Sequence, residues 1–351
     1  MKNKKILIVG GGIAGCTLAI NLLKRGVEVH LVDRGENYST NIAAGMVNPI
    51  VFRRMNLSWR VEYFFTRAKS FYQYLEQTLK IDLVHDITIR RLFSNKEELD
   101  LWNKRIQLPE FQPFLNPITK EDIQYKSSLN KFGTGRVNAF WVDSKKFYKN
   151  AHAYIKQKGE LKYEEVDFKK INFEDVSFNS VKYDSIVFCL GFENNQLNTF
   201  NDVPIQQTKG QLLTIESVKI PESESLNRKC FLIPKGNHQF IAGATYEWNN
   251  ATLHTDEKAQ VELKEKLKFV TTEEYTCIQQ EAGIRPTMLD RRPVIGNQST
   301  YKNICIFNGL GTKGYLIAPG LSEELTDSIL NGNNIPMEYN VARIYSKKNT
   351  L

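Results

Sequence analysis

The chain has 351 residues, 41% of them apolar and 25% charged, with a mean hydropathy of −0.39; this excludes a disordered or membrane-embedded protein and leaves room for one large core or two moderate ones. Its net charge of +8 is spread along the chain, which reads as a solvated lysine-rich surface rather than a demand for nucleic acid. Five cysteines and five histidines are scattered without metal-type spacing, so no metal is expected, and the odd, dispersed cysteines argue for a reducing, cytoplasmic setting.

The apolar run at 5–9, Lys-Ile-Leu-Ile-Val, predicts a buried parallel strand. With Lys2, Lys4 and Lys5 before it, this segment imitates a signal peptide, but Gly10-Gly11-Gly12 breaks the run and no small-residue cleavage site follows. The strand instead leads into Gly10-Gly11-Gly12-Ile13-Ala14-Gly15, a G-x-G-x-x-G turn, then a helix over 16–24 with Leu18, Ala19, Leu22 and Leu23 on one face. A second strand over 27–32 ends at Asp33, 18 residues beyond Gly15. Strand, glycine turn, helix and distant acid form the context that turns a weak motif into a dinucleotide site. Gly10 permits the turn, Gly12 lets backbone approach a pyrophosphate, and Gly15 lets helix and strand pack closely. The helix N-terminus offers N–H groups and a positive dipole end to phosphate, and Asp33 can accept from ribose hydroxyls. Arg34 beside it leaves a phosphorylated ribose open, and the motif does not separate one dinucleotide from another.

Residues 41–49 (Asn-Ile-Ala-Ala-Gly-Met-Val-Asn-Pro) put little side chain between the backbone and a large planar ligand. The aromatic-rich 61–79 predicts an amphipathic helix. Residues 141–143, a helix over 144–159 and a short strand over 163–166 then look like a return to the nucleotide-binding unit, as does the buried strand 183–191 that ends in Gly191. Near the C-terminus, Ile304 to Asn308, the turn Gly309-Leu310-Gly311-Thr312-Lys313-Gly314 and a helix over 318–330 repeat the strand, glycine turn and helix. Two glycine turns suit a ligand long enough to span the sheet, such as FAD.

These segments, in this order, resemble the D-amino-acid-oxidase-like (DAO) family of FAD-dependent oxidoreductases, closest in motif to the glycine oxidases. The likeness covers most of the chain. Three stretches carry it: 41–49; the strand pair from Leu232-Ile233-Pro234 to Gly243-Ala244-Thr245-Tyr246-Glu247; and Gly283-Ile284-Arg285-Pro286-Thr287 with Asp290 and Pro293-Val294-Ile295-Gly296. The resemblance implies an α/β (α+β mixed) fold: a Rossmann-like FAD-binding domain from 1–48, 142–203 and 285–340, a discontinuous mixed-sheet substrate domain from 49–141 and 204–284, and a tail at 341–351.

It also assigns residues. Gly10, Gly12, Ile13, Ala14 and Gly15 would lie along the pyrophosphate, Asp33 and Arg34 at the adenosine, and Val166 at the adenine. Ala43, Ala44, Gly45 and Met46 would flank the isoalloxazine, and Gly191 belongs to the same cofactor site. From Gly309 through Leu310, Gly311, Thr312, Lys313, Gly314, Tyr315 and Leu316 the chain would wrap the flavin's pyrimidine edge, with Lys313 favouring negative charge there. Arg285 would hold a substrate carboxylate bidentately; the competing role is an ion pair with Glu281 or Asp290. Tyr246 is a candidate pocket hydroxyl and Arg53, with Arg54 beside it, a candidate to reach the pocket. Lys209 and Lys235 stand where arginine is expected, and Cys277 lies eight residues from Arg285, so FAD is expected to be non-covalent.

The implied reaction is oxidation of the C–N bond of a small amino acid or secondary amine (glycine, sarcosine or D-amino-acid type) by hydride transfer to flavin N5. The imine formed then hydrolyses, and electrons pass to O2 or another acceptor. The alternatives are a flavin domain for wobble-uridine modification in RNA, a 2-hydroxy-acid dehydrogenase and a non-catalytic flavin-binding protein. No membrane span is expected, nucleic acid is disfavoured as a partner, and the oligomeric state is left open.

Overall fold

Alternation along the first strand, Lys5–Val9, sets the layers of the molecule, seen in a computed structural model that describes residues 4–36, 38–125, 129–248 and 250–348. Ile6 and Ile8 face one buried layer, Leu7 and Val9 the opposite one. The same alternation runs through Glu28–Asp33, Ser185–Phe188 and Ile304–Asn308, which is why these strands read as unbroken apolar runs: both faces are covered. Five parallel strands and one antiparallel edge strand make a six-stranded sheet in the order Val294–Asn297, Ile304–Asn308, Ser185–Phe188, Lys5–Val9, Glu28–Asp33, Glu160–Tyr163. On one face lie the helices Ile13–Lys24, Ser144–Lys158 and Gly314–Asn331. On the other lies a small antiparallel meander, Ile171–Asn172, Ser177–Phe178 and Val181–Lys182.

A second, nine-stranded sheet is almost entirely antiparallel, and Val84–Leu92 beside Ser225–Arg228 is its one parallel pairing. Its two longest strands, Ile205–Glu216 and Thr276–Met288, pair over nearly their whole length and place Thr208 opposite Arg285 and Gly210 opposite Gly283. Met46–Val47 joins this sheet through Phe140 and Trp141, so the small-residue segment at 41–49 passes directly between the two sheets.

The predicted amphipathic helix is Val61–Leu79, with Phe64, Ala68, Phe71, Tyr72 and Leu75 buried. It packs on the C-terminal helix, where Gly320 makes room for the Phe64 ring: a Cβ there would meet it at 2.7 Å. That C-terminal helix begins at Gly314, four residues earlier than the sequence suggested, and runs through Pro319. Proline leaves the carbonyl of Tyr315 without its helical donor; the Tyr72 hydroxyl donates to it instead, at 3.0 Å, so the helix continues unbroken. The third strand of the parallel group in chain order is Glu160–Tyr163 rather than 163–166, because the Glu164 N–H donates to the Asp33 carbonyl and the chain then leaves the sheet. No described helix is long and apolar enough to cross a membrane.

Candidate active site

A single cavity of about 740 Å³ runs from Asp33 to Arg285 and on to Arg53. At the Asp33 end, Gly10 adopts φ 104°, and a Cβ there would lie 2.5 Å from the Cys189 carbonyl oxygen. A Cβ on Gly15 would lie 1.9 Å from the Gly10 carbonyl oxygen, so the third glycine of the motif is required for packing and does not itself line the cavity. Gly12, Ile13 and Ala14 do line it. The first-turn N–H groups have no acceptor within the helix; that of Ile13 donates to Thr40 Oγ1 at 2.9 Å.

Asp33 does more than wait for a ribose. One carboxylate oxygen accepts the Gly11 N–H at 2.5 Å, the other the Gly35 N–H at 2.8 Å and the Tyr148 hydroxyl at 3.4 Å. A carboxylate has about four acceptor positions, so it braces the glycine loop and keeps capacity for a ligand. Arg34, which also lines the cavity, is paired with Glu193 at 2.8 Å. The loop is held from behind by buried His152, whose Nε2 lies 2.8 Å from the Gly11 carbonyl and whose Nδ1 lies 2.9 Å from the Tyr163 hydroxyl. A carbonyl only accepts, so Nε2 carries the proton and Nδ1 accepts from Tyr163. Sequence reasoning passed over His152 and Tyr148, since a histidine and a tyrosine on an amphipathic helix carry no signal of what lies opposite.

In the middle of the cavity, Ala43, Ala44, Gly45 and Met46 form part of the wall, with Val166 and Gly191 elsewhere along it. Gly45 has φ 72°, and a Cβ would fall 1.8 Å from the Val142 carbonyl oxygen; its smallness serves the approach to that strand. From the C-terminal turn, Leu310, Gly311, Thr312, Gly314 and Tyr315 reach the cavity, while Gly309, Lys313 and Leu316 do not. Leu316 is in the core, and Gly309 turns against Met288. Lys313 is half-buried with Nζ donating to the Asn48 carbonyl at 2.7 Å, and desolvation pushes its pKa down to about 8.

The far end of the cavity is built around Arg285. Glu281 pairs with Lys145 and Asp290 with Arg343, so neither competes for it. Its guanidinium donates long hydrogen bonds to the carbonyls of Lys209 (3.4 Å) and Thr245 (3.3 Å) and sits 4.5 Å from the Tyr246 ring centroid. Gly210 is the floor beneath it: a Cβ there would meet Nη2, Nη1 and Cζ at 2.1–2.4 Å. Burial lowers the Arg285 pKa, and no described carboxylate pairs with it. A desolvated cation without a counter-charge, facing a cavity, is suited to an anionic ligand. Tyr246 lines the same region with 58% of its surface exposed. Arg53 also lines the cavity, and Arg54 does not.

The two lysines at expected arginine positions serve elsewhere. Lys209 is buried and reaches Thr252 Oγ1 at 3.1 Å and Asp256 at 3.7 Å. Lys235 lies with Nζ 3.5 Å from the Trp141 ring centroid, its amine buried and without a described hydrogen-bond partner, and burial lowers its pKa to about 7. Cys277 does not line the cavity; Cys230 does, with its thiol pushed up to about 12 by burial. Among the described residues no group of three or more His, Cys, Asp or Glu is placed to hold a metal.

The cavity is electrically divided. Asp33, Glu36, Glu164, Glu165 and Glu193 line one end, where the lone cation Arg34 is paired with Glu193; Arg53, Arg91, Lys229 and Arg285 line the other, which has no lining carboxylate among the described residues. The glycine approaches, the acid beside the first helix and the uninterrupted path from there to Arg285 fit an adenine dinucleotide whose redox ring lies at the cationic end.

A family model described as FAD dependent oxidoreductase (DAO) matches residues 5–328. Among solved structures, glycine oxidase from Geobacillus kaustophilus superimposes with a TM-score of 0.81 at 18% identity, covering 97% of this chain and 98% of that one. L-proline dehydrogenase from P. horikoshii does so with a TM-score of 0.81 at 19% identity, covering 98% of each. Among curated sequences, the tRNA 5-methylaminomethyl-2-thiouridine biosynthesis bifunctional protein MnmC of Campylobacter jejuni (strain RM1221) is 22% identical over 308 residues, which is 85% of this chain. The chain spans only 46% of that relative's length.

Proposed function

The chain belongs to the DAO family of FAD-dependent oxidoreductases, and from that membership we propose that it oxidises the C–N bond of a small amino acid or secondary amine bearing a carboxylate. The observation that carries this reading is the half-buried Arg285 guanidinium at the cationic end of the cavity, floored by Gly210 and without a carboxylate partner among the described residues.

The flavin supplies the two-electron acceptance that amino-acid side chains lack. The protein's own part is positioning. The guanidinium grips the substrate carboxylate and fixes its orientation as well as its charge. The carbonyls of Lys209 and Thr245 aim the guanidinium, and the Tyr246 ring covers its face. No histidine lines the cavity and every lining carboxylate is at the opposite end, so no side chain there is suited to removing a proton from the amine. The amine therefore binds neutral, and its own lone pair drives departure of the hydride. Rates should rise with pH as the fraction of free base rises.

The test is anaerobic bleaching of the bound flavin by glycine, sarcosine, D-amino acids, proline and 2-hydroxy acids, for the native protein and Arg285→Met. Reduction by an amino acid that is slowed at least about 100-fold in Arg285→Met is expected. Failure of every compound, with Arg285→Met indistinguishable from the native protein, would refute the reading. Bleaching by 2-hydroxy acids alone would move the substrate to that class.

A second reading, modification of a carboxylate-bearing amine on RNA, is favoured by the match to a relative named for tRNA biosynthesis. It requires RNA binding that weakens steeply with salt, and a filter-binding titration with bulk tRNA at two salt concentrations decides it.

A further inference from the structure

The guanidinium of Arg285 is aimed by more than its own contacts. Its hydrogen bonds to the Thr245 and Lys209 carbonyls are long, 3.3 and 3.4 Å, so they hold it weakly and its position follows the backbone it springs from. That backbone is the strand Thr276–Met288, which pairs along one side with Ile205–Glu216. Among the described residues its only other backbone pairing is the isolated bridge of Thr287 with Leu310. A single hydroxyl pins the strand beside the cation: Ser39 Oγ donates to the carbonyl of Ile284, the residue immediately before Arg285.

Ser39 lies on the short helix Tyr38–Ile42 and lines the cavity. The residues next to it are tied to three elements around the dinucleotide groove. Thr40 Oγ1 accepts the Ile13 N–H at 2.9 Å, at the start of the helix that follows the glycine turn. The Thr40 carbonyl accepts from the Tyr315 hydroxyl, and the Asn41 carbonyl from the Ser144 hydroxyl, each at 3.0 Å. Ser39 is therefore a fixed point on the cofactor side that reaches across to the strand carrying the substrate's cation. Lys145 also crosses to this strand, at Glu281, but through a more exposed ion pair four residues away, where solvent weakens the hold.

We propose that Ser39 is a positioning residue for Arg285, setting through Ile284 where the carboxylate grip stands relative to the cofactor groove. This rests on the amine-oxidation reading above and names a residue through which it works. Without the hydroxyl the Ile284 carbonyl loses its donor, and a backbone acceptor that is left unmatched shifts toward another partner. The guanidinium moves with it.

The test is a double-mutant cycle on the FAD-loaded protein: native, Ser39→Ala, Arg285→Met and the double variant. One readout is anaerobic flavin reduction by the best amine found; the other is the Kd of methoxyacetate, an unreactive carboxylate, from perturbation of the flavin spectrum. Ser39→Ala is expected to lower reduction efficiency and weaken methoxyacetate, each about tenfold, at an unchanged flavin-to-protein absorbance ratio. Ser39→Thr, which keeps the hydroxyl, should restore most of both, and Lys145→Met should leave both native. Beside Arg285→Met, Ser39→Ala should add less than about twofold, because a residue acting through Arg285 then has nothing left to position. No effect of Ser39→Ala, an effect that persists in full beside Arg285→Met, or an equal loss in Lys145→Met overturns the proposal while a loss in Arg285→Met alone still upholds the grip. If Arg285→Met changes neither readout, the amine-oxidation reading falls and this proposal falls with it.

Discussion

Gly210→Ala is the most searching perturbation of this site, because it adds one methyl group and removes no functional group. The new Cβ would lie 2.1 Å from Nη2, 2.3 Å from Nη1 and 2.4 Å from Cζ of Arg285. Non-bonded heavy atoms settle at about 3.5–4.0 Å, so the guanidinium must retreat by more than about 1 Å. It is the far end of a flexible side chain and can do so, leaving the carbonyls of Lys209 and Thr245 and the Tyr246 ring. Gly210 is in a strand without the positive φ that would bar alanine, so folding and flavin retention should be nearly native. A reactant displaced by about 1 Å loses on the order of 100-fold in rate, near 3 kcal/mol of transition-state stabilisation. The assay is stopped-flow anaerobic reduction with the best amine found, which separates the limiting rate from substrate Kd, together with the Tm and the flavin-to-protein absorbance ratio. A fall of about 100-fold in reduction efficiency with Tm within about 2 °C supports the clamp. Native kinetics in Gly210→Ala would show that substrate is not gripped by Arg285 in this position, and the substrate reading would lose its basis.

Tyr72→Phe removes the only described donor to the Tyr315 carbonyl, which Pro319 cannot serve; urea denaturation should show a loss of about 1–3 kcal/mol, and an unchanged midpoint would mean another donor takes over. Lys235→Met tests a buried amine whose pKa falls from 10.5 to about 7. Below pH 7 folded and unfolded chains both carry the proton, and the native protein bears the full penalty of a buried charge, at most about 5 kcal/mol. Between pH 7 and 10.5 only the unfolded chain binds it, so native stability rises with pH; Lys235→Met should stabilise most at pH 6 and least near pH 10, and a pH-independent gain would refute this. His152→Leu deprives the Gly11 carbonyl of its imidazole donor and leaves it the weaker Cys16 thiol, and should raise the Kd of FAD about tenfold, read from flavin fluorescence on dilution, whereas native affinity would assign His152 to packing alone.

The parallel sheet and its glycine turn were legible because their signals are local. A strand buried on both faces needs an apolar run, and a turn that meets a helix N-terminus needs glycines at fixed offsets, so Lys5 to Asp33 announces itself. Where local signals conflicted, legibility failed. Pro319 hid the first turn of the C-terminal helix, since nothing nearby in sequence shows that Tyr72 replaces the missing donor. Gly45 was read as leaving room for a planar ligand, but its close neighbour is the Val142 carbonyl, nearly a hundred positions away.

Taken alone, the sequence determined the dinucleotide turn, the order of the segments and the family, since these depend on residues within a few positions of one another. Only the tertiary structure showed that Arg285 has no carboxylate partner among the described residues. Whether a guanidinium is neutralised depends on which carboxylates the fold brings beside it. Here Glu281 turns to Lys145 and Asp290 to Arg343, while Gly210 on the paired strand makes room for a cation facing the cavity. The gathering of Arg53, Arg91 and Lys229 around that same cavity is likewise a product of strand pairing across more than a hundred residues, where charge pattern along the chain carries no information.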